Sequence, residues 1–356
     1  MKNYVIASVL TVCTLTAQAQ NNQADIKQNG ANNTNTIQQT GTNEKLTLIQ
    51  GTVAKPSTQN QANVAMAGTL NEVFIRQVGT QNTADVRQRG GIAENNAVAL
   101  TQTGDGNNAN VFQGLGAGTA LGNTVSLTQT GDDNEAEVLQ GRSSGGEDNT
   151  ATLDQQGKRN KAGIDQGVFG GTGLSNSATL TQSGNDNEAD IRQGPAVGAS
   201  SYDNAAMLTQ TGNGNEAYIL QGSDVARGNN AALTQSGNDN EADILQGNFI
   251  DGEAEANAAV LAQTGNDNEA VIAQGNPTRR GIRKLNDEST ILTTDPFSFS
   301  AMRSAAIINQ HGDDHYGIVV QAGADNLATI QQRGANNFSV VTQGVKLVVP
   351  SSDGLP

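Results

Sequence analysis

The sequence predicts an all-β fold, a β-solenoid of about 12 stacked strand-turn-strand rungs, and three observations point to it. Fifteen residues recur almost letter for letter, LTQSGNDNEADIRQG at 180–194 and LTQSGNDNEADILQG at 233–247. Looser copies read LTQTGNGNEAYILQG at 208–222 and LAQTGNDNEAVIAQG at 261–275. Within each copy residue types alternate with a period of two, the mark of a strand with one face turned inward. The composition, with no Trp, 3% aromatics and 42 Gly, cannot fill a wide apolar core. Its aliphatic residues are nevertheless too regularly placed for a disordered chain. A repeat architecture reconciles the three.

The chain opens with a targeting segment. Lys2 supplies a positive start, Val5 to Ala17 is mostly apolar or small, and Ala17-Gln18-Ala19 fits a signal-peptidase site, so residues 1–19 read as a signal peptide. The run is too short for a membrane span. The single cysteine, Cys13, lies inside it. A lipoprotein anchored at Cys13 is the alternative, against which Val12 is a poor preceding residue. After cleavage no disulfide is possible, and the expected destination is outside the cytoplasmic membrane.

Residues 20–275 carry the repeats. Aligned from 229, they read Asn229-x-Ala231-x-Leu233-x-Gln235-x-Gly237-x-x-Asn240-x-Ala242-x-Ile244-x-Gln246. Each half is Asn, small, aliphatic, Gln at every second place, and the two halves start 11 residues apart. The residues between them are built on Gly and Asn and read as a tight turn. Seven such units begin at Asn96, Asn123, Asn149, Asn176, Asn204, Asn229 and Asn257, with a loop of variable length after each second strand. Nearer the N-terminus single arms open at Asn22, Asn33, Glu44, Asn60, Asn71 and Asn82. Four more, at Ser304, His315, Asn326 and Asn337, fall in a C-terminal block, 304–344. Stacked at about 4.8 Å, 12 rungs would make a rod about 58 Å long. Residues 276–303 read as a loop insertion with a basic cluster, Arg279, Arg280, Arg283 and Lys284, and 345–356 as a tail.

A buried amide is costly unless its donors and acceptor are paired. In-register stacking supplies the pairing, because each Asn or Gln lies over its own kind and the amides bond along the stack. The candidate ladder residues are Asn96, Gln102, Asn107, Gln113, Asn123, Gln129, Asn134, Gln140, Asn176, Gln182, Asn187 and Gln193. They continue through Asn204, Gln210, Asn215, Gln221, Asn229, Gln235, Asn240, Gln246, Asn257, Gln263, Asn268 and Gln274.

The string Gln-x-Gly-x-x-Asn-x-Ala-x-x-x-Gln resembles the curlin repeat of bacterial curli fibres, over most of 22–343. That resemblance implies a secreted subunit with a β-solenoid fold that assembles into amyloid fibres of a biofilm matrix and contributes to adhesion. Further implied are a curli-type nucleator and an outer-membrane secretion channel as partners, and a fibre-core role for the ladder residues. The chain departs from the family in two ways. Where the family has Ser six residues before the first Gln, the seven central units have Asn, and Ser occurs once, at Ser304 before Gln310. The central units also add long loops on one side, and the chain is about twice as long as a typical curlin subunit. Major subunit and nucleator both remain open.

The outward positions raise rival functions. First-strand outer residues are mostly Thr, Ser and Ala, as in Thr128-Gln129-Thr130 and Thr209-Gln210-Thr211, and stacked Thr rows can match an ice lattice. Glu135, Glu188, Glu216, Glu241 and Glu269 fall in one second-strand column, which would repel or hold Ca²⁺ between rungs. A monomeric surface solenoid acting as an adhesin, a calcium binder or an ice binder is therefore the alternative to a fibre subunit. Catalysis has little to stand on. His311 and His315 are the only histidines, and the sequence has no phosphate loop or nucleophile elbow. No enzyme, cofactor or small-molecule substrate is expected. A net charge of −15 argues against nucleic acid. In so acidic a chain, the basic cluster at 279–284 reads as a solvated loop or as a dock for an acidic surface.

Overall fold

A computed structural model describes residues 21–114, 119–141, 146–167, 172–194, 200–222, 225–247, 253–275 and 301–344. The expected signal peptide, the basic cluster 279–284 and the tail 345–356 lie outside the described residues. Among those described, every regular element is a strand. The alternating arms form two sheets of twelve strands each. The first runs from Gln23–Gln28 to Leu327–Ala335, the second from Thr34–Gln39 to Phe338–Gln343.

Neighbouring strands are parallel and in register, so each repeat lies on its own next copy. Leu180, Leu208, Leu233 and Leu261 are stacked in the first sheet. Ile191, Ile219, Ile244 and Ile272 are stacked in the second. Together with the alanines two places before them, these columns form one continuous core, nearly all of it fully buried. It is one aliphatic residue deep per strand. That thinness is why a chain poor in aromatics can fill it.

The corners differ from the sequence reading. The segments after the second strands were read only as loops of variable length, but their described ends form a third sheet of nine short strands, from Ile92–Glu94 to Gly323–Ala324. The expected twelve rungs thus describe the two long sheets, whereas the closed three-sided coil has about eight turns. Ahead of Ile92 the third side is reduced to single bridges, Thr42 to Thr69 and Thr69 to Glu94. The expected 276–303 insertion is also shorter than drawn, since Ala301–Met302 already pairs with Ala254 and Glu255 in the third sheet.

The other corner is a column of glycines. Gly157, Gly184, Gly212 and Gly237 have φ between +114 and +128, a region that side chains rarely adopt. A Cβ on Gly184 would also sit inside the carbonyl oxygen of Gly212, and each glycine of the column meets the next in this way. Both conditions exclude a side chain. Gly184→Ala is expected to destabilise the fold by at least about 2 kcal/mol, through strain plus displacement of the next rung. Gly228, at φ +59 with open space beside it, should lose only about 1 kcal/mol as Gly228→Ala. Urea unfolding of the two variants tests the difference, and equal losses would contradict the close-approach argument.

Candidate functional site

The stack contains four interior columns of polar side chains, two of Asn and two of Gln. Strand alternation turns both residue types inward, at either end of the aliphatic pair. All 24 candidate ladder residues are at most 1% exposed. In the first sheet the glutamine column is unbroken. From Gln28 through Gln50, Gln77, Gln102 and onward to Gln332, each Nε2 donates to the Oε1 of the next glutamine at 2.8–2.9 Å. The Nε2 of Gln102 also donates to the backbone oxygen of Thr83 in the opposite sheet, at 2.9 Å. Each glutamine thereby ties rung to rung and sheet to sheet.

The asparagines cap the strand starts. Asn123 Nδ2 donates to Asn96 Oδ1 at 3.1 Å, and the Asn123 backbone N–H donates to the same oxygen at 3.1 Å. Its second amide proton goes to the carbonyl of Gly146, three residues before Asn149. That rule holds along both sheets, with Asn149 donating to Gly173 and Asn187 to Gly212. Asn149, Gln155, Asn160 and Gln166 were not among the candidate ladder residues, yet they occupy the same columns and are fully buried. Their spacing gave the signal. Amides neither titrate near neutral pH nor attack substrates, so these columns provide hydrogen bonding and nothing more.

Exceptions cluster towards the ends. Met66 stands in a glutamine place, where it accepts only a long contact from Gln39 Nε2 at 3.9 Å, and Gln88 Oε1 beyond it is buried without a partner. Glu44 stands in an asparagine place, fully buried. Its backbone N–H still donates to Asn22 Oδ1 at 3.0 Å, but its Oε1 has no partner. His315 replaces Asn in the eleventh rung, 1% exposed. The Asn337 N–H donates to its Nδ1 at 3.3 Å, and its Nε2 lies 3.2 Å from the His311 carbonyl. His311 points outward, so the two imidazoles do not converge.

The outer faces also correct the reading. Glu188, Glu216, Glu241 and Glu269 do stack in one column, but Lys161 lies between Glu135 and Glu188 in register, and Tyr316 follows Glu269. Further along the same outer face, Leu220, Leu245, Val271, Ala273, Ile318 and Val320 form a second buried apolar cluster. The second-strand exterior is therefore mixed rather than acidic.

Burial holds the Glu44 carboxyl above the ordinary carboxylate range, opposed by hydrogen bonds from Gly41 and Asn71. A raised value in the fold means that protonation favours the fold. The benefit is complete below the unfolded carboxylate pKa and lost as pH rises through the folded value. Protection of the 45–50 amides from hydrogen exchange should accordingly fall as pH rises through that range in the parent chain. In Glu44→Asn it should stay level. Met66→Gln, which rejoins Gln39 to Gln88, should add roughly 1 kcal/mol to stability in urea.

Residues 146–184 and 203–237 match the family model of the curlin associated repeat. Both matched stretches end on a glycine of the stacked corner column, Gly184 and Gly237. No curated protein matches the chain significantly. The repeat grammar, the parallel in-register stack and the matched stretches agree: the chain is a parallel β-solenoid that carries curlin associated repeats at residues 146–184 and 203–237.

Proposed function

We propose that the protein is the structural subunit of a secreted, curli-like amyloid fibre that contributes to adhesion and to a biofilm matrix. In this reading it catalyses nothing and takes no cofactor. One observation carries the proposal: the ladders are polar, and the glutamine ladder of the first sheet runs through to both ends of the stack. In the first sheet every glutamine donates towards the C-terminal rung, from Gln28 to Gln332. The first rung therefore presents an unused glutamine acceptor and the last rung a glutamine donor. The asparagine columns run the opposite way, as from Asn123 to Asn96. A second copy placed on the last rung continues all four columns and both backbone ladders, and such an unpaired edge is a template for another strand.

Export through an outer-membrane channel and help from a nucleator belong to the same reading, by likeness to the curlin repeat. The solenoid geometry supports it further, because each rung contacts only its neighbours and adding a molecule repeats an interface already present inside it.

The mature protein, incubated after purification, should form dye-binding fibres with reflections near 4.8 and 10 Å. Growth should depend on the edge strand Phe338–Gln343. In the strand before it, Tyr316 N–H donates to Asn337 and Ala322 N–H to Gln343. By the same period of two, the Thr342 N–H points off the open edge. Thr342→Pro removes that donor without breaking an internal bond, so elongation from preformed seeds should slow at least about tenfold while the urea midpoint of the soluble chain is nearly unchanged. Unaltered elongation would remove end-on stacking through this edge.

A further inference from the structure

The net charge is −15, yet one face of the rod bears almost none of it. Eight consecutive strands of the first sheet, from Ala97–Thr103 to Ala305–Asp313, each offer four outward positions. These hold Thr, Ser, Ala and other uncharged residues, and Asp154 is the single carboxylate among them. One row of the face carries Met207, Val260 and Ile307, which are 51%, 44% and 39% exposed. Ala232 fills the place between Met207 and Val260, so the row is continuous. The second sheet is the reverse. Its outward places hold charges such as Glu137, Lys161, Glu188 and Asp190, and its apolar cluster is already buried.

We propose that the uncharged outer face of the first sheet is where two copies of this chain pack side by side, first sheet against first sheet. Charge favours that occupant. Two strongly acidic rods can approach only where carboxylates are absent, and pairing through this face leaves the charged second sheets on the far sides. Size favours it too. Eight strands about 4.8 Å apart, with four outward residues about 6.8 Å apart, span about 38 by 20 Å. That is close to the roughly 800 Å² per partner of a stable interface. Small side chains on a regular parallel sheet let two such faces mesh as sheets do in a sandwich. A face meeting its own copy is also self-complementary about a two-fold axis. Pairing sideways uses no end rung, so this inference stands apart from the fibre reading.

The test is sedimentation equilibrium of freshly purified mature protein over a range of salt. A dimer is expected that tightens as ionic strength rises, since salt screens the repulsion between the acidic rods while the contact itself is uncharged. Thr209 and Thr234 are neighbours in register on the face. Thr209→Glu combined with Thr234→Glu should weaken the dimer at least tenfold, while the urea midpoint falls only slightly through repulsion of the in-register pair. Asn110→Glu, on the outer side of the second sheet, should leave the dimer as it is. A protein monomeric at every salt concentration overturns the proposal. So does a dimer indifferent to the paired Thr→Glu changes, which would be end-to-end, or one weakened equally by Asn110→Glu. Thermal hysteresis from a monomer would also overturn it, by giving the Thr rows to ice.

Discussion

A carboxamide taken out of water must find all its partners, and in this molecule the partner is the same residue one rung away. That condition fixes most of the structure. Amides bond along a stack only when like residues sit about 4.8 Å apart and in register, which requires parallel strands of repeated sequence. The Asn rule then sets the corners. Each Nδ2 needs a carbonyl three residues before the next asparagine, so the backbone there must come close and its residue must be small. On one corner this residue is Ser57 once and otherwise glycine, which along the central units is packed so closely on its successor that no Cβ fits. On the other it is Ala93, Ala120, Gly146, Gly173, Ser201, Ala226, Ala254 or Ala301. Insertions recur at the latter corner, and the first has one, between Gln50 and Asn60. A loop of any length is acceptable after the second strand if the chain returns with a small residue in that place.

The distribution of faults follows from the same condition. Net hydrogen-bond energies of about 1 kcal/mol each are modest, whereas an orphaned buried amide atom costs about 1–3 kcal/mol. A substitution in a central rung orphans atoms on both sides. Near an end it spoils fewer, and the affected rung can open without the rest. Glu44, Met66, Ser304 and His315 all lie within three rungs of an end. Glu44 Oε1, Asn60 Nδ2 and Gln88 Oε1 are among the buried atoms left without a partner in the N-terminal rungs. The central units, whose columns are complete, are therefore the stable heart from which rungs propagate outward.

Much of this was legible in the sequence because the ladder and the sequence share a period. Alternation named the inward Asn, Ala, aliphatic and Gln places, and the 11-residue offset named the turn, so the strand pairing of Leu180 on Leu208 could be read from the alignment alone. The third sheet was not read, since two or three residues at the end of a variable loop show no alternation. Its signal was present in another form, the small residue three places before each asparagine, which gains meaning only once the Asn Nδ2 is seen reaching for that carbonyl. The mixed outer face of the second sheet was missed for a different reason. Outward residues such as Lys161, Leu245 and Val271 obey no stacking rule, and a column of glutamates drew attention away from them.

That asymmetry between inside and outside bears on how so acidic a protein can repeat itself without repelling itself. Charges on a stack of parallel strands recur every 4.8 Å if the repeat is strict. The interior enforces strictness, but the exterior is under no such constraint, and the chain departs from repetition at several charged places. Lys161 separates Glu135 from Glu188, Arg192 lies 3.2 Å from Asp190 and 3.6 Å from Asp165 on the adjoining strand, and Arg159 of one turn bonds Asp186 of the next at 2.7 Å. Individually such exposed pairs are worth little. Their effect is to break up the like-charge rows that in-register stacking would otherwise impose. The inward residues are the same from rung to rung, whereas the outward ones differ at several rungs, although Glu188, Glu216, Glu241 and Glu269 still follow one another in register. Where they stay alike, as in that column, the ladders beneath must outweigh the repulsion between like charges.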